Sequence, residues 1–340
     1  MFKKLSSLTL ASFLLFPILN TDAATDDNIY SKNTIQSLST NNKTKANQPT
    51  SNAKNKNYNN RNTMINKTPP KQVKEPVIYI TPHADDETLT YAVDILNERR
   101  KGRPIILSLV SSGEDSFSRE MLNGRVDHES HPKFSDQIGE EIYCAWHGMV
   151  HNHATEQYLD GYLTRQKFSK LRIDEFHRAA EGMGIPKNFV NYDNLSTQTI
   201  SKENVKQIIM KYKKQYPTAE FRTMSKYDYH YEHRMLGEAL EELENEGLIE
   251  KEKTRYFLSN YTYRFDHTLE SRIGIEAYAR LKDGMKVERL TSSSDAVYLT
   301  NSISAYEAYV PSLGYYATGY HSVVSQFKSL KGDMSTVYYD

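Results

Sequence analysis

Alternating strand and helix patterns between residues 77 and 245 predict an α/β fold. The expected form is a Rossmann-like, doubly wound, mostly parallel sheet with added C-terminal edge strands. Three observations carry this prediction. Val77-Ile78-Tyr79-Ile80 and the run 105–110 are short and nearly continuous in apolar residues, as strands covered on both faces require. Between them, Leu89, Ala92, Val93 and Leu96 recur at helical spacing as far as Arg100, and Gly102 marks the stop. The polar stretches rich in His, Asp and Glu fall where predicted strands end, which is where sites in such sheets lie.

The first strand, helix and second strand form a βαβ unit, whose connection should be right-handed. Phe168, Leu171, Ala179, Ala180 and Met183 line one face of a later helix closed by Gly184, and Phe189-Val190 begins another strand. Ser201 caps a helix carrying Val205, Ile208, Ile209 and Tyr212, which stops before Pro217. Glu220-Phe221-Arg222-Thr223 reads as a strand, and Leu236, Ala239, Leu240 and Leu243 define the next helix. Residues 115–167 lack clean periodicity and read as an insertion beside the pocket. Beyond 254 the chain is rich in tyrosine. Tyr256-Phe257-Leu258 and Ala296-Val297-Tyr298-Leu299 look like edge strands, with a closing helix near 321–330.

The chain has 340 residues, with 43 Lys and Arg against 43 Asp and Glu. That balance supplies no field for a polyanion, so no nucleic-acid partner is expected. Lys3 and Lys4, the apolar stretch 8–19 and Thr21-Asp22-Ala23 read as a signal peptide over 1–23. The apolar stretch is too short and interrupted for a stable membrane span. Residues 24–74, dominated by Asn, Lys, Thr and Ser, read as a disordered linker. The folded part is then 75–340, and the signal predicts a secreted or cell-envelope protein. Cys144 is the single cysteine, so no intrachain disulfide forms. Beside Trp146, it reads most simply as a small buried apolar residue.

The chemistry concentrates in two motifs. Pro82-His83-Ala84-Asp85-Asp86-Glu87 follows the first strand, and Tyr229-His230-Tyr231-Glu232-His233-Arg234 precedes the helix near 236. His83 and Asp86 are three residues apart on a tight turn and can point the same way, while His233 completes a set of two histidines and one carboxylate. Three protein ligands that leave a position open are what catalytic zinc requires, although another divalent metal can use them. Asp85 is then free to accept a proton from the reacting water. His230, one helical turn before His233, can stabilise an oxyanion or protonate a leaving amine. Alone, an Asp-Asp pair at a helix start more often caps the helix, and His-x-x-His is a weak signal. Their joint occurrence at two strand ends carries the metal reading. His128, His131, His151 and His153 lack a matching carboxylate cluster and read as surface or lid histidines.

These motifs resemble those of the PIG-L/LmbE-like zinc-dependent de-N-acetylases, whose first motif reads approximately [A/P]-H-[P/A]-D-D-E. The resemblance implies zinc on His83, Asp86 and His233, with Asp85 as general base. Ser112-Gly113-Glu114 is similar to the family's T-x-G-E. Arg172, Glu175, Ala179 and Gly184 reproduce the spacing of its R-x-x-E-x-x-x-A-x-x-x-x-G helix, which implies substrate contacts for Arg172 and, beside it, Glu114. The resemblance covers about 76–245, while Gly319-Tyr320-His321 can approach the pocket. Two departures stand out: Thr90-Tyr91-Ala92 replaces a glycine-rich continuation, and Glu232 replaces the aspartate of H-P-D-H. The implied function is removal of an N-acetyl group from an amino sugar in a glycan, glycolipid or glycoconjugate. The alternatives are a zinc amidase or esterase acting on another acylated substrate, and an envelope carbohydrate-binding protein without turnover.

Overall fold

β1 (Val77–Thr81) lies at the centre of a seven-stranded sheet, between β2 (Ile105–Leu109) and β4 (Glu220–Met224). β3 (Val190–Tyr192) extends the sheet beyond β2, and β5 (Thr254–Leu258) extends it beyond β4. These five strands are parallel, in the order β3-β2-β1-β4-β5. Two antiparallel strands complete the far edge: β7 (Ser335–Tyr339) pairs with β5, and β6 (Lys286–Arg289) pairs with β7. The computed structural model describes residues 74–129 and 137–340, all within one compact unit. The expected signal segment, the expected linker up to residue 73, and His131 lie outside the described residues.

Every residue of β1 is buried, and the two sides of the strand serve different cores. Val77 and Tyr79 pack with α1 (Ala92–Arg100), α3 (Arg165–Gly182), α9 (Ala296–Glu307) and α10 (Thr318–Asp333). Ile78 and Ile80 pack with α4 (Lys202–Gln215) and α5 (Tyr231–Asn245), and α6 (Asn260–Arg264), α7 (Leu269–Ile273) and α8 (Ile275–Gly284) follow β5. Each large aliphatic side chain buried in this way contributes about 1.5–3 kcal/mol, so a continuous apolar strand is the expected sequence for the sheet centre. No described helix is long and apolar enough to cross a membrane.

Three expectations are corrected. Residues 296–299 open α9 rather than forming a strand. Leu299, Ile303 and Tyr306 are its buried apolar residues, a spacing of four and three that a four-residue window hides. Tyr256-Phe257-Leu258 lies in an interior parallel strand, and the edge is supplied by β7 and β6. His151 is buried, not a surface group, whereas His128 is exposed and His153 half-buried.

The 115–167 region carries α2 (Ser118–Asn123) and a small hairpin pairing Tyr143–Cys144 with Met149–Val150, and its Leu122, Tyr158 and Leu163 form an apolar cluster with Phe168 of α3 and Tyr316. Arg119 is fully buried there and forms a two-pronged ion pair with Asp127.

Candidate active site

The first motif occupies the turn that leaves the carboxyl end of β1. The chain does not enter α1 directly. Glu87–Tyr91 first winds as a π-helical turn, a wide and uncommon geometry found frequently at functional sites. Asp85 has φ of 122°, a conformation costly for any residue with a Cβ. The turn is held by several hydrogen bonds. The Asp85 amide donates to Glu87 Oε2 at 3.1 Å, while the amides of Thr88 and Leu89 donate to the Asp85 carbonyl at 3.1 and 2.9 Å. Glu87 is itself buried and accepts from the Tyr306 hydroxyl at 2.7 Å. Burial raises the Glu87 carboxyl to about 8, opposed by that hydroxyl. Tyr91 fills the place of the expected glycine-rich continuation, and its hydroxyl donates to the Ile80 carbonyl.

The second motif follows β4, the neighbour of β1 on the side where the strand order reverses. His230 is the N-cap residue of α5 and His233 lies in the first turn. Gly237 lets this helix press onto the preceding loop. A Cβ there would lie 2.3 Å from the Lys226 amide nitrogen, so any side chain would push the helix, and His233 with it, away.

The two turns converge. Asp86 Oδ2 lies 3.4 Å from His83 Nδ1 and 3.2 Å from His233 Nε2. That oxygen is buried and has no hydrogen-bond partner. The outward nitrogens are both held by carboxylates: His83 Nε2 by Glu232 at 2.7 Å, and His233 Nδ1 by Asp228 at 3.0 Å. Two imidazoles oriented by carboxylates on their far nitrogens, facing an unpartnered carboxylate oxygen, are what a divalent cation needs. The donor set therefore fits a metal. The His230 ring lies 5.3 Å from His83 and 4.8 Å from His233 between centroids, and the three histidines can themselves gather around one ion.

The adjacent carboxylates differ in electrostatics. Burial raises Asp85 to about 6, although the Arg172 guanidinium pulls the other way. Burial also acts on Asp86, but the His233 and His83 imidazoles outweigh it and hold that carboxyl below the usual range. Such a split gives neighbouring groups separate acid–base roles. For His230, desolvation and then the flanking His233 and His83 lower the ring to about 4, so it meets neutral solution as an uncharged N–H donor.

Arg172 reaches this site from α3. Its Nη2 bonds Asp85 Oδ2 at 3.1 Å and also the Ala84 carbonyl, while Nε bonds the Ser112 carbonyl at 2.5 Å. It is buried, and Nη1 has no partner. Glu114 lies further out. It accepts from the Ser112 hydroxyl at 2.9 Å and the Thr197 amide at 3.2 Å, and lines a groove of about 350 Å³ with Arg165, Ser169, Tyr192 and Ser196. His83, Asp86, His230 and His233 thus cluster around one point with Asp85 beside them, Arg172 braces Asp85, and Glu114 stands to one side. Asp228 lies just outside the second sequence motif. Its Oδ1 takes both His233 Nδ1 and the His230 amide, and its Oδ2 takes the Ser259 amide.

Residues 78–243 match the family profile described as PIG-L: GlcNAc-PI de-N-acetylase. This chain carries a PIG-L domain. The matched segment begins within β1 and ends within α5, so it includes both of the turns that converge on Asp86. No curated protein matches the chain.

Solved structures similar to the chain include a deacetylase triple mutant from the teicoplanin biosynthetic pathway. It is 10% identical, with 78% of this chain and 96% of that one covered and a TM-score of 0.46. The N,N'-diacetylchitobiose deacetylase of Pyrococcus horikoshii is 12% identical, covering 78% and 82%, with a TM-score of 0.40. The 4-carboxy-2-hydroxymuconate hydratase GalB of Pseudomonas putida KT2440 is 13% identical, covering 78% and 95%, with a TM-score of 0.41.

Proposed function

We propose that the protein is a metal-dependent hydrolase that removes the N-acetyl group from an N-acetylated amino sugar, with zinc held by His83, Asp86 and His233. The observation that carries this reading is the unpartnered Asp86 oxygen between His83 Nδ1 and His233 Nε2, beside a separate carboxylate, within a segment matching the GlcNAc-PI de-N-acetylase profile. When bound, zinc would supply Lewis-acid polarisation of the amide carbonyl and acidify a water at neutral pH.

The remaining roles belong to the chain. Asp85, at about 6, is suited to accept the proton of the attacking water near neutral pH and to carry it towards the leaving amine. Arg172 fixes the direction of the Asp85 carboxylate by bonding one of its oxygens and the peptide oxygen before it. His230, at the pocket edge and uncharged, can donate an N–H to the oxygen on which negative charge develops. Glu232 and Asp228 hold the two ligand imidazoles in the tautomers that leave His83 Nδ1 and His233 Nε2 free.

The proposed substrate is a glycan, glycolipid or glycoconjugate at or outside the cell surface. Export rests on Lys3, Lys4, the apolar stretch 8–19 and Thr21-Asp22-Ala23. A panel of N-acetylglucosamine oligomers and N-acetylated glycolipids, followed for new free amine by mass spectrometry, tests the reading. A loss of one acetyl mass on at least one member supports it. An intact panel together with hydrolysis of simple acyl esters would transfer the site to the esterase alternative.

A further inference from the structure

A second cluster of metal-ligand side chains lies outside the site above. Cys144, His147, His151 and His321 bring one sulfur and three ring nitrogens within 4.8 Å of one another. His147 Nδ1, His151 Nε2 and His321 Nε2 are pairwise 3.2 Å apart, and Cys144 Sγ is 3.8 Å from His147 Nδ1. Zinc bonds of about 2.0–2.1 Å to nitrogen and about 2.3 Å to sulfur, arranged as a tetrahedron, place nitrogens roughly 3.3 Å apart and sulfur roughly 3.6 Å from nitrogen. The observed spacing is that of ligands around a common centre.

Hydrogen bonding on the far side of the rings strengthens this. His151 Nδ1 faces both Glu156 oxygens at 3.1 Å and the Tyr309 hydroxyl at 3.0 Å, and that hydroxyl donates to Glu156 Oε2. The His151 proton therefore sits on Nδ1. His321 Nδ1 is 2.8 Å from the Ala317 carbonyl, which can only accept, so its proton also sits on Nδ1. Both Nε2 atoms then present bare lone pairs to each other at 3.2 Å, which repel unless a cation or proton lies between them. A single proton joins two of these atoms and leaves the third nitrogen and the sulfur unserved. A metal ion serves all four. A carboxylate and a backbone carbonyl on the far nitrogens are the usual means of orienting metal-binding histidines. Cys144 is wholly buried, which disfavours the rival role of a reactive nucleophile.

We propose that Cys144, His147, His151 and His321 hold a second metal ion, zinc by ligand type, in a closed four-coordinate structural site. With four protein ligands it has no open position for a substrate. It ties the small hairpin of the insertion to the first turn of α10. Gly319, two residues before His321, lies against the catalytic turn: a Cβ there would be 3.1 Å from Asp85 Cβ. The Thr318 and Gly319 amides are further anchored on Glu175. The second ion would thus secure a wall of the active site without taking part in the chemistry.

Cobalt(II) titration of the metal-free full-length protein tests this. Cys144 is the chain's single cysteine, so a thiolate-to-cobalt charge-transfer band can arise only here. The expected result is a band that saturates within two equivalents of cobalt in the wild type, where the His83 site also fills, and at one equivalent in His83→Ala. It should vanish in Cys144→Ser and need at least tenfold more cobalt in His321→Ala. Circular dichroism checks that each variant is folded. The wild-type band needs no variant and decides the matter if Cys144→Ser fails to fold. Absence of the band in folded wild-type protein would overturn the proposal, as would an unchanged titration in both His321→Ala and His151→Ala.

Discussion

Arg172 Nη2 lies 3.1 Å from Asp85 Oδ2, joining α3 to a residue whose backbone sits at φ of 122°. The contact explains how a strained turn is kept: one guanidinium bonds the Asp85 carboxylate, the Ala84 carbonyl before it and the Ser112 carbonyl after β2. Arg172 is therefore a positioning residue for the proposed base. Asp85→Asn should keep its metal and lose about 10²–10⁴-fold in kcat, the range for a general base. Arg172→Ala should also keep metal and lose activity mainly in kcat. Metal analysis alongside initial rates separates these outcomes from loss of a ligand. Near-normal kcat in metal-replete Asp85→Asn would place the base elsewhere, although not on Glu87, which is fully buried and bonded to Tyr306.

Asp228 supports His233 through its outer nitrogen and touches none of the inward-facing ligand atoms. Asp228→Asn should weaken metal affinity by about 10–100-fold, as loss of such partners does, while His233→Ala should abolish stoichiometric binding at the same site. Competition with a chromogenic chelator measures both. Equal affinity in wild type and Asp228→Asn would show that the hydrogen bond does not tune the ligand.

His230 borders the pocket while its backbone amide, not its ring, is tied to Asp228. His230→Ala should retain metal and lose roughly 10²–10³-fold in kcat, the effect of removing one oxyanion donor. Loss of metal from that variant instead would make His230 a ligand, as its closeness to His83 and His233 also permits.

The Arg119–Asp127 pair gives the insertion a pH signature. Burial raises the Asp127 carboxyl, but Arg119 and Tyr162 outweigh it and hold the group at about 2, below its ordinary 3.8. A depressed folded pKa means that the stabilisation is complete above the unfolded value and is lost as pH falls towards about 2. The shift corresponds to roughly 1–2 kcal/mol, discounted for partial solvent access. Urea unfolding between pH 5 and pH 2 should therefore show a smaller acid-induced loss in Asp127→Asn, from a lower starting stability at pH 5. Parallel pH profiles for the two proteins would assign the acid sensitivity to other carboxylates.

The parallel core and the two motif-bearing turns are legible because their signals are local. β1 is a continuous apolar run, and each motif holds its chemistry within six residues of a strand end or helix start. What was not legible depends on contacts distant in sequence or on longer windows. Asp228 is five residues before His233, and its role emerges only when its second oxygen meets the Ser259 amide across the neighbouring strand end. α9 needed the Leu299, Ile303 and Tyr306 spacing, which four residues cannot display. Cys144-x-x-His147-x-x-x-His151 has ligand-like spacing, but the partner that closes the cluster is His321, 170 residues beyond His151.

Acetate release from an N-acetylated sugar panel, measured with full-length protein before and after chelation, tests the central claim most directly. The expected result is release by the metal-loaded protein, its loss on metal removal, its return with added zinc, and its near absence in metal-replete Asp85→Asn. Undiminished release from thoroughly metal-free protein, or no release across the panel by protein with the His83, Asp86 and His233 site filled, would contradict the account.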